Sequence, residues 1–327
     1  MNLVKRAVSN GGILAPLVIP ETFGAMNPSV FIDDDGEILV NIRVVNYTLV
    51  HSENKQLFPS RWGPLTYLHP EKDQRLVTEN YLVRLNKDLR ITDSTKVEML
   101  SLHEPIWEFV GLEDARLVQW QGIYFLIGVR RDTTTNGQGR MEYTKLEIDK
   151  IKWSAREVAR KRIPTPGEDT SYCEKNWFPI LDREYSFIKW SCPTEVVYSH
   201  PDDSEPTKQI ALRASEMPTA DQRGSSHLIR WGNVYIAITH EVALFKNYLG
   251  QKDAIYRHRL LVWDQEFNLA GMSKPFSFLD GQIEFCVGAA ILDGDLLLSW
   301  GFQDNAAFLL RVPRLVVEDL ILEAVNG

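Results

Sequence analysis

Polar and charged side chains occur just before or within short apolar segments that are far apart along the chain. They include carboxylates, amides, an arginine, a lysine and a histidine, which are groups that bind polar or anionic ligands and transfer protons. The segments that contain them are Asn27-Pro28-Ser29, Gly111-Leu112-Glu113-Asp114-Ala115-Arg116, Glu174-Lys175-Asn176-Trp177, Arg223-Gly224-Ser225-Ser226-His227 and Ile283-Glu284-Phe285. These groups can act together only if the fold brings the five segments to one place.

Each polar segment accompanies a pattern that is typical of a β-hairpin, in which two short apolar arms flank a turn signal. The five turns are at Asp35-Gly36, Gln121-Gly122, Asp182-Arg183-Glu184, Gly232-Asn233 and Asp293-Gly294. Helical periodicity is scarce by comparison. The sequence therefore predicts an all-β fold.

The hairpins recur irregularly, at intervals of roughly 50 to 90 residues, which is typical of propeller blades. We predict that residues 1–327 form a single five-bladed β-propeller domain. A β-sandwich is the competing all-β layout, but its strands usually occur at more even spacing. Because the innermost strands of a propeller line its central channel, the five polar segments would face one cavity.

The end of the chain departs from the β pattern. Pro313 is compatible with the first turn of a helix, and apolar residues repeat at helical spacing after it. The repeating residues are Val316, Val317, Leu320, Ile321 and Ala324. We predict a short C-terminal helix that packs against the outside of the propeller.

The composition is typical of a soluble globular protein, with 44% hydrophobic and 24% charged residues. The formal net charge of -8 argues against non-specific attraction to nucleic acid or anionic lipid. No run approaches the roughly 18 consecutive apolar residues of a membrane span. Polar residues, glycines and prolines interrupt the first twenty residues, where a signal peptide needs an apolar stretch. We therefore expect a cytoplasmic protein with no membrane span and no nucleic-acid partner.

Three cysteines, Cys173, Cys192 and Cys286, occur without a Cys-x-x-Cys spacing. An odd number in this arrangement predicts neither a disulfide framework nor a zinc site, and buried structural thiols are the simpler interpretation. No other cluster of ligating residues suggests a metal. The sequence predicts no cofactor.

The segment Glu113-Asp114-Ala115-Arg116 resembles the Glu-Asp-Pro-Arg element of glycoside hydrolase family 130, which is similar to other five-bladed propeller glycosidases. Further elements match that family in the same order along the chain. They are Asn27-Pro28-Ser29 with Arg43, Lys175-Asn176, Thr239-His240-Glu241 in place of Tyr-His-Gly, and Trp300-Gly301-Phe302-Gln303-Asp304 in place of Tyr-Gly-x-x-Asp. The ordered set extends over nearly the whole chain.

The resemblance implies an inverting enzyme that acts on β-mannosides or similar glycosides, by phosphorolysis or by hydrolysis. By position it assigns the general acid to Asp114, which would deliver its proton to the glycosidic oxygen through a sugar hydroxyl. Inversion leaves room on the opposite face of the sugar for water or phosphate. The substrate-binding residues would be Asn27, Arg43, Glu113, Arg116, Lys175, Asn176, His240, Glu284 and Asp304.

The two reactions make different demands on the pocket. Phosphorolysis requires cationic donors for phosphate, and the candidates are Arg130, Arg131, Lys175 and His240. Hydrolysis would use a carboxylate base, for which Glu195, Glu241 and Glu284 are candidates. The chain departs from the family pattern at Ala115, Glu241 and Ile188-Lys189-Trp190, where Pro, Gly and His-Arg are usual. Absence of the His-Arg pair argues against phosphate binding in particular.

Two other functions fit the same scaffold and stay open. A glycosyltransferase would move mannose from a nucleotide sugar, and it predicts affinity for a nucleotide sugar or sugar phosphate with negligible hydrolysis. A non-catalytic glycan-binding propeller predicts that Asp114→Asn leaves ligand affinity intact. The expected partners are therefore an oligosaccharide or glycoside, with inorganic phosphate or a sugar phosphate as a further possibility.

Overall fold

Antiparallel blades of four or five strands form most of the structure, and the outer strands of the first two blades also pair in parallel, which joins these two blades into one sheet. The computed structural model describes residues 1–20, 22, 24–48, 66–67, 75–166, 171, 173–203, 206–217, 222–246 and 252–327. Helix α1 (Leu3–Val8) and strand β1 (Ile13–Pro16) precede blade 1, which consists of β2 (Ala25–Ile32), β3 (Ile38–Val45), β6 (Leu76–Leu85) and β7 (Ile91–Glu98). The short strands β4 (Tyr47–Thr48) and β5 (Thr66–Tyr67) pair with each other, and β8 (Phe109–Val110) pairs with β6.

Three further blades follow the same order from the channel outward. Blade 2 consists of β9 (Leu112–Trp120), β10 (Ile123–Arg130), β11 (Arg140–Asp149) and β12 (Ser154–Arg162). Blade 3 consists of β13 (Phe178–Pro179), β14 (Ser186–Ser191), β15 (Thr194–Tyr198) and β16 (Lys208–Arg213). Blade 4 consists of β17 (Arg223–Gly224), β18 (Ile229–Trp231), β19 (Val234–Lys246), β20 (Lys252–Trp263) and β21 (Leu269–Met272), with β17 and β18 both paired to β19.

Blade 5 contains strands from both ends of the chain. It consists of β22 (Glu284–Leu292), β23 (Asp295–Phe302), β24 (Ala306–Val312) and the early strand β1. Strand β1 pairs antiparallel with β24, from Ile13 opposite Arg311 to Pro16 opposite Phe308. This pairing closes the ring.

All five predicted hairpins are confirmed, and each forms the inner part of one blade. The turns connect β2 to β3, β9 to β10, β13 to β14, β18 to β19 and β22 to β23. At Gln121-Gly122 and Asp293-Gly294 both central residues have positive φ, of 54° and 72° and of 50° and 87°. This is the geometry of a tight hairpin turn whose twist matches that of the strands.

A separate apolar cluster lies between each pair of neighbouring blades. The pairs that represent them are Leu82 and Leu117 for blades 1 and 2, Phe125 and Val197 for blades 2 and 3, Ile188 and Leu261 for blades 3 and 4, Ile236 and Leu298 for blades 4 and 5, and Val40 and Leu297 for blades 5 and 1. Burial of these side chains removes apolar surface from water at every blade boundary. The described strands therefore form a five-bladed β-propeller, as predicted.

The C-terminal helix α2 (Arg314–Asn326) lies against β20 and β21 on the outside of blade 4. A Cβ on Gly271 would come within 2.7 Å of the Ala324 carbonyl oxygen, so the helix approaches the strand closely. Helix α1 was not predicted from the sequence because its six residues are too few for a periodic pattern. Its N-cap is Asn2, whose side chain accepts a hydrogen bond from the Lys5 amide at 2.8 Å. Neither described helix has the length and apolar character that crossing a membrane requires.

The three cysteines are free thiols. Cys286 is buried, as predicted, but Cys173 and Cys192 are only half-buried. The prediction of burial was wrong for these two because both lie in connecting segments at the ends of blade 3 strands, where side chains are less enclosed.

Candidate functional site

Residues from all five blades line a pocket of about 700 Å³ at one end of the channel. The lining consists of Met26, Asn27, Arg43, Tyr47, Phe109, Glu113, Asp114, Lys175, Asn176, His240, Tyr256, Ile283, Phe285 and Asp304. Most of the residues predicted to bind substrate are therefore brought together. Arg116, Arg130, Arg131 and Glu284 are not part of the lining.

Backbone irregularities direct two of the polar side chains into the pocket. The pairing register shifts between Met26 and Ser29 on β2, and between Glu113 and Arg116 on β9. The residues inside these bulges, Asn27 and Asp114, have φ of 45° and 49°. Asn and Asp adopt this left-handed conformation more readily than most residues, and a bulge redirects the side chains that follow it.

Asp114 is held by donors from blade 1. Its Oδ1 accepts hydrogen bonds from Asn27 Nδ2 at 2.7 Å and from Arg43 Nη1 at 2.9 Å. Arg43 is fixed in turn by donating to the Tyr47 hydroxyl at 2.7 Å and to Thr78 Oγ1 at 3.2 Å. Asp114 Oδ2 has no hydrogen bond to another described residue. The carboxyl group is thus oriented through one oxygen, and the other remains for a ligand.

The surroundings of Asp114 favour its ionised form. Burial raises the pKa of this carboxyl, but the charges of Arg43 and Lys175 and the hydrogen bond from Asn27 outweigh burial and lower the pKa below its ordinary value. Asp114 is therefore a carboxylate at neutral pH when no ligand is bound.

Asp304 lies in the turn after β23, and its pKa is shifted in the opposite direction from that of Asp114. Gln303 fixes the turn, because its amide donates to the Ile283 carbonyl and its Oε1 accepts from the Ile283 amide, both at 2.7 Å. Burial raises the pKa of Asp304 to about 6; the charge of Arg43 opposes this rise and the charge of Asp114 adds to it. The pocket thus contains two carboxyl groups with different proton affinities.

Arg116 lies beneath the pocket and is almost fully buried. Its Nε and Nη2 donate to the Ser225 carbonyl at 3.0 and 2.7 Å, and its Nη1 donates to the Asp114 carbonyl at 2.7 Å. These bonds connect blade 2 to blade 4 and hold the main chain of Asp114 in place. Arg116 can therefore position Asp114 without facing the ligand.

His240 forms part of an aromatic wall. Its Nδ1 is 2.8 Å from Ser225 Oγ, its ring stacks on Tyr256 with centroids 5.6 Å apart, and Phe285 contacts it edge-on. Burial and the nearby His258 and Lys175 lower the pKa of His240 well below its ordinary value. A neutral imidazole can form a hydrogen bond to a ligand but adds no positive charge for phosphate.

Lys175 supplies the exposed cation of the lining. Its ammonium group makes no hydrogen bond or ion pair with another described residue. Asn176, which follows it, is buried with φ of 63°, and its Oδ1 lies 3.4 Å from Arg116 Nη2. The Lys175 charge is therefore available to a ligand, whereas Asn176 partly faces the interior.

The two arginines predicted to bind phosphate are occupied elsewhere. Arg130 is buried and donates to Glu142 at 2.9 Å and to Asp132 at 3.3 Å. Arg131 donates to the Gly137 carbonyl at 3.0 Å and to Cys173 Sγ at 3.1 Å, and it lies 3.7 Å from Glu113. These contacts come from a neighbouring strand and from loops, so the sequence pattern could not reveal them.

The three carboxylates considered as bases also lie outside the lining. Glu284 is fully buried and accepts hydrogen bonds from the amides of Phe278, Leu279 and Gly281, so it holds a loop together. Glu195 lies 3.5 Å from Lys189, and Glu241 accepts from Gln222 Nε2 at 2.6 Å. The structure thus gives Glu284 a structural environment rather than a place beside a ligand.

Sequence reasoning missed the aromatic part of the lining. Tyr47, Phe109 and Tyr256 lie outside the polar segments that the analysis singled out, and Tyr256 is on the third strand of its blade. Only the general tendency of sugar sites to use aromatic faces could have drawn attention to them.

A larger cavity of about 1330 Å³ borders Arg130 and Asp132 between blades 1 and 2. It includes none of the residues predicted to be catalytic or to bind substrate, and Arg130 and Asp132 pair with each other. Within the described ranges, no group of three or more His, Cys, Asp or Glu side chains is arranged to hold a metal ion.

No protein-family model matches this sequence, and no curated protein matches it. Solved structures do match its fold. A β-1,2-mannobiose phosphorylase from Listeria innocua in complex with β-1,2-mannobiose aligns with a TM-score of 0.55 and 14% identity, covering 95% of this chain and 97% of that chain. A GDP-Man-dependent mannosyltransferase from Leishmania mexicana gives 0.55 and 14% identity, with 92% and 88% covered.

A third match is a structure that represents the glycoside hydrolases of family 130 that target β-1,2-mannosidic linkages in Candida mannan. Its TM-score is 0.56 and its identity 12%, with 88% of this chain and 83% of that chain covered. At such low identity the likeness shows a shared fold. It confirms the propeller, and it confirms at the level of fold the resemblance to family 130.

Proposed function

We propose that this protein is a carbohydrate-active enzyme that cleaves β-mannosides or similar glycosides with inversion, and that Asp114 is its general acid. The observation that carries the proposal is the Asn27–Asp114–Arg43 cluster, which lines the pocket, fixes one carboxylate oxygen of Asp114 and leaves the other without a partner among the described residues. The shared fold with mannoside phosphorylases, glycoside hydrolases and a mannosyltransferase supports the same substrate class.

The chemistry of the lining suits a sugar. Carboxylates, an amide and a lysine can bind hydroxyl groups, while the stacked rings of Tyr256 and His240 offer a face for the C–H groups of a pyranose. A pocket of about 700 Å³ also has the size that is usual for small-molecule sites.

Asp114 must gain a proton before it can act as an acid. A bound sugar would displace water from Oδ2, and loss of water from a carboxylate raises its pKa. A sugar hydroxyl beside Oδ2 could then relay the proton to the glycosidic oxygen. The C–O bond would break with its electron pair on that oxygen, which takes the relayed proton. Water or phosphate would add to the opposite face, and an attacking water would lose one proton to solvent.

We infer that water, rather than phosphate, is the nucleophile, and that its proton leaves to solvent because Glu195, Glu241 and Glu284 lie outside the lining. Arg130 and Arg131 are occupied by contacts within the protein, and His240 is neutral. Of the four predicted phosphate ligands, Lys175 is therefore the one whose positive charge remains available to a ligand. Phosphate sites usually combine several such donors.

The proposal is tested by incubating the purified protein with a panel of β-mannosides, with and without phosphate, and measuring released sugar and sugar 1-phosphate. Release of free sugar without phosphate, lost in Asp114→Asn, is the expected result. Release that requires phosphate would replace hydrolysis by phosphorolysis.

The two alternative functions have their own outcomes in the same experiment. Consumption of GDP-mannose only when an acceptor sugar is present would identify a transferase. Binding of a mannoside that is equally strong in Asp114→Asn, with no product in any condition, would identify a glycan-binding propeller.

A further inference from the structure

Asp114 and Asp304 line the same pocket but belong to different blades. We propose that they form one carboxyl pair that holds a single proton at mildly acidic pH, and that this proton is on Asp304 when no ligand is bound. Asp304 would act through Asp114 as a proton reservoir. The role of this proton in catalysis rests on the proposed function, whereas the sharing of one proton by the two carboxyl groups does not depend on it.

The positions of the cations favour this arrangement. Arg43 uses Nη1 for Asp114, Nη2 for Tyr47 and Nε for Thr78. Asp304 makes no hydrogen bond or ion pair with another described residue. The hydrogen bonds of the buried arginine thus go to Asp114 and to two neutral partners, and none goes to Asp304, on which Arg43 acts only through its charge.

The number of carboxyl groups favours it as well. Glu113, Asp114 and Asp304 share the pocket, and like charges in a poorly solvated site do not all ionise. Glu113 lies 3.8 Å from Arg43 and 3.7 Å from Arg131, so its negative charge is compensated. Asp114 accepts two hydrogen bonds. Asp304 is therefore the carboxyl group that retains the proton.

The other titratable groups that face Asp304 do not change this assignment. Arg43 on β3, Tyr47 on β4, Asp114 on β9 and Tyr256 on β20 all interact with it electrostatically. Burial raises the pKa of both tyrosines above the ordinary value, so they stay neutral at neutral pH. The raised pKa of Asp304 and the lowered pKa of Asp114 agree with one proton for the pair.

A bound sugar would complete the path between the two groups. The O–H bond at Asp304 would break, the proton would pass through a sugar hydroxyl or a water to Asp114 Oδ2, and the negative charge would move to Asp304. Asp114 would then deliver the proton to the leaving oxygen as the glycosidic bond breaks. Asp304 would regain a proton from solvent, so that protons and charge balance over one turnover.

The test is an NMR titration of the full chain, labelled with 13C at the aspartate carboxyl carbons, between pH 4 and 8 and without sugar. We expect one carboxyl resonance to titrate near pH 6. It should be absent from Asp304→Asn. In Asp114→Asn it should titrate at lower pH, because the negative charge that raises the pKa of Asp304 is gone.

The matched control is Asp293→Asn, the same change at the other end of β23. Asp293 is an exposed turn residue with φ of 50°, which Asn also adopts readily, and this variant should leave the resonance unchanged. Persistence of the resonance in Asp304→Asn, or no shift in Asp114→Asn, would overturn the proposal. The Asp114→Asn titration decides the question even if Asp304→Asn does not fold.

Enzyme kinetics test the catalytic meaning separately, once a substrate is known. In the wild type kcat/KM should fall as the pH rises above about 6, because Asp304 loses its proton. Asp304→Asn should lose this limb of the profile, and Asp304→Glu should restore it. If NMR shows the shared proton but kcat/KM does not fall above about pH 6, the proton relay is refuted. If NMR shows the shared proton but no glycoside in the panel is cleaved, the result counts against the proposed function alone.

Discussion

Two clusters of arginine and acidic side chains on and around blade 2 use the same residue types for different purposes. In the pocket, Arg43 holds Asp114 through one carboxylate oxygen. On β10 and β11, Arg130 donates to both Glu142 and Asp132. All five side chains are buried to a similar degree, so burial does not distinguish the clusters.

The two clusters differ in which charged or polar groups they leave without a partner in the protein. In the cluster of Arg130, Asp132 and Glu142, both carboxylates contact the guanidinium, and the group left over is a donor, Arg130 Nη2, which makes no hydrogen bond. In the pocket, one oxygen of Asp114 and the whole carboxyl group of Asp304 have no partner among the described residues. A buried carboxylate whose charge is paired within the protein serves the fold, and one that is left unpaired at a cavity is a candidate for chemistry.

Asp114→Asn should have the largest effect on activity. The change removes the protonatable group but keeps its size, so turnover per folded molecule should fall by about 1000-fold. It also leaves the buried Arg43 beside an amide, so the free energy of unfolding should fall as well. Turnover per folded molecule equal to that of the wild type would mean that the pocket cluster is structural like the other one.

Glu142→Gln should have the converse effect. It leaves Arg130 buried beside an amide, so the free energy of unfolding should fall by about 3 kcal/mol. Urea unfolding measures this loss. Turnover per folded molecule should stay unchanged at a temperature where the variant is folded, and a selective loss of turnover would contradict the separation of the two clusters.

Gly301→Ala should produce a smaller, indirect effect on the pocket. A Cβ at this position would lie 2.0 Å from Asn27 Oδ1 and 2.7 Å from the Asn27 amide nitrogen, so Asn27 must shift. Misplacement of a group that donates to Asp114, the proposed general acid, should lower kcat by about 10-fold. An unchanged kcat in a folded variant would show that Asn27 does not orient Asp114.

His240 should show no change of charge at all. Because its pKa is well below the ordinary value, the imidazole should stay neutral from pH 8 down to pH 5. The 15N shifts of its ring nitrogens measure this directly. A shift toward the imidazolium pattern above pH 6 would restore His240 as a cation for phosphate.

The inner hairpins of the fold were predictable because their turns are local. Asp293-Gly294 needs only two residues to specify its geometry. Closure of the ring was not predictable, because β1 and β24 are separated by nearly the whole chain and β1 has no distinctive pattern. Helix α1 is too short to give a periodic signal.

The candidate site was predictable to the extent that polar residues begin the inner strands. Asn27 and Asp114 lie in the pocket for this reason. Asp304 follows the second strand of its blade, and only the matching order of motifs pointed to it. The roles of Arg130 and Glu284 were not predictable. A charged residue looks the same in sequence whether it faces a ligand or a partner such as Glu142, and only the register between strands decides which.

Closure of blade 5 by β1 also bears on how the protein is made. As a chain leaves the ribosome, blades 1 to 4 can assemble in order, since each uses a contiguous stretch of sequence. Blade 5 must wait for β24, and β1 stays unpaired until then. Asp304 belongs to this last blade, so the nascent chain cannot complete its pocket before β24 has left the ribosome.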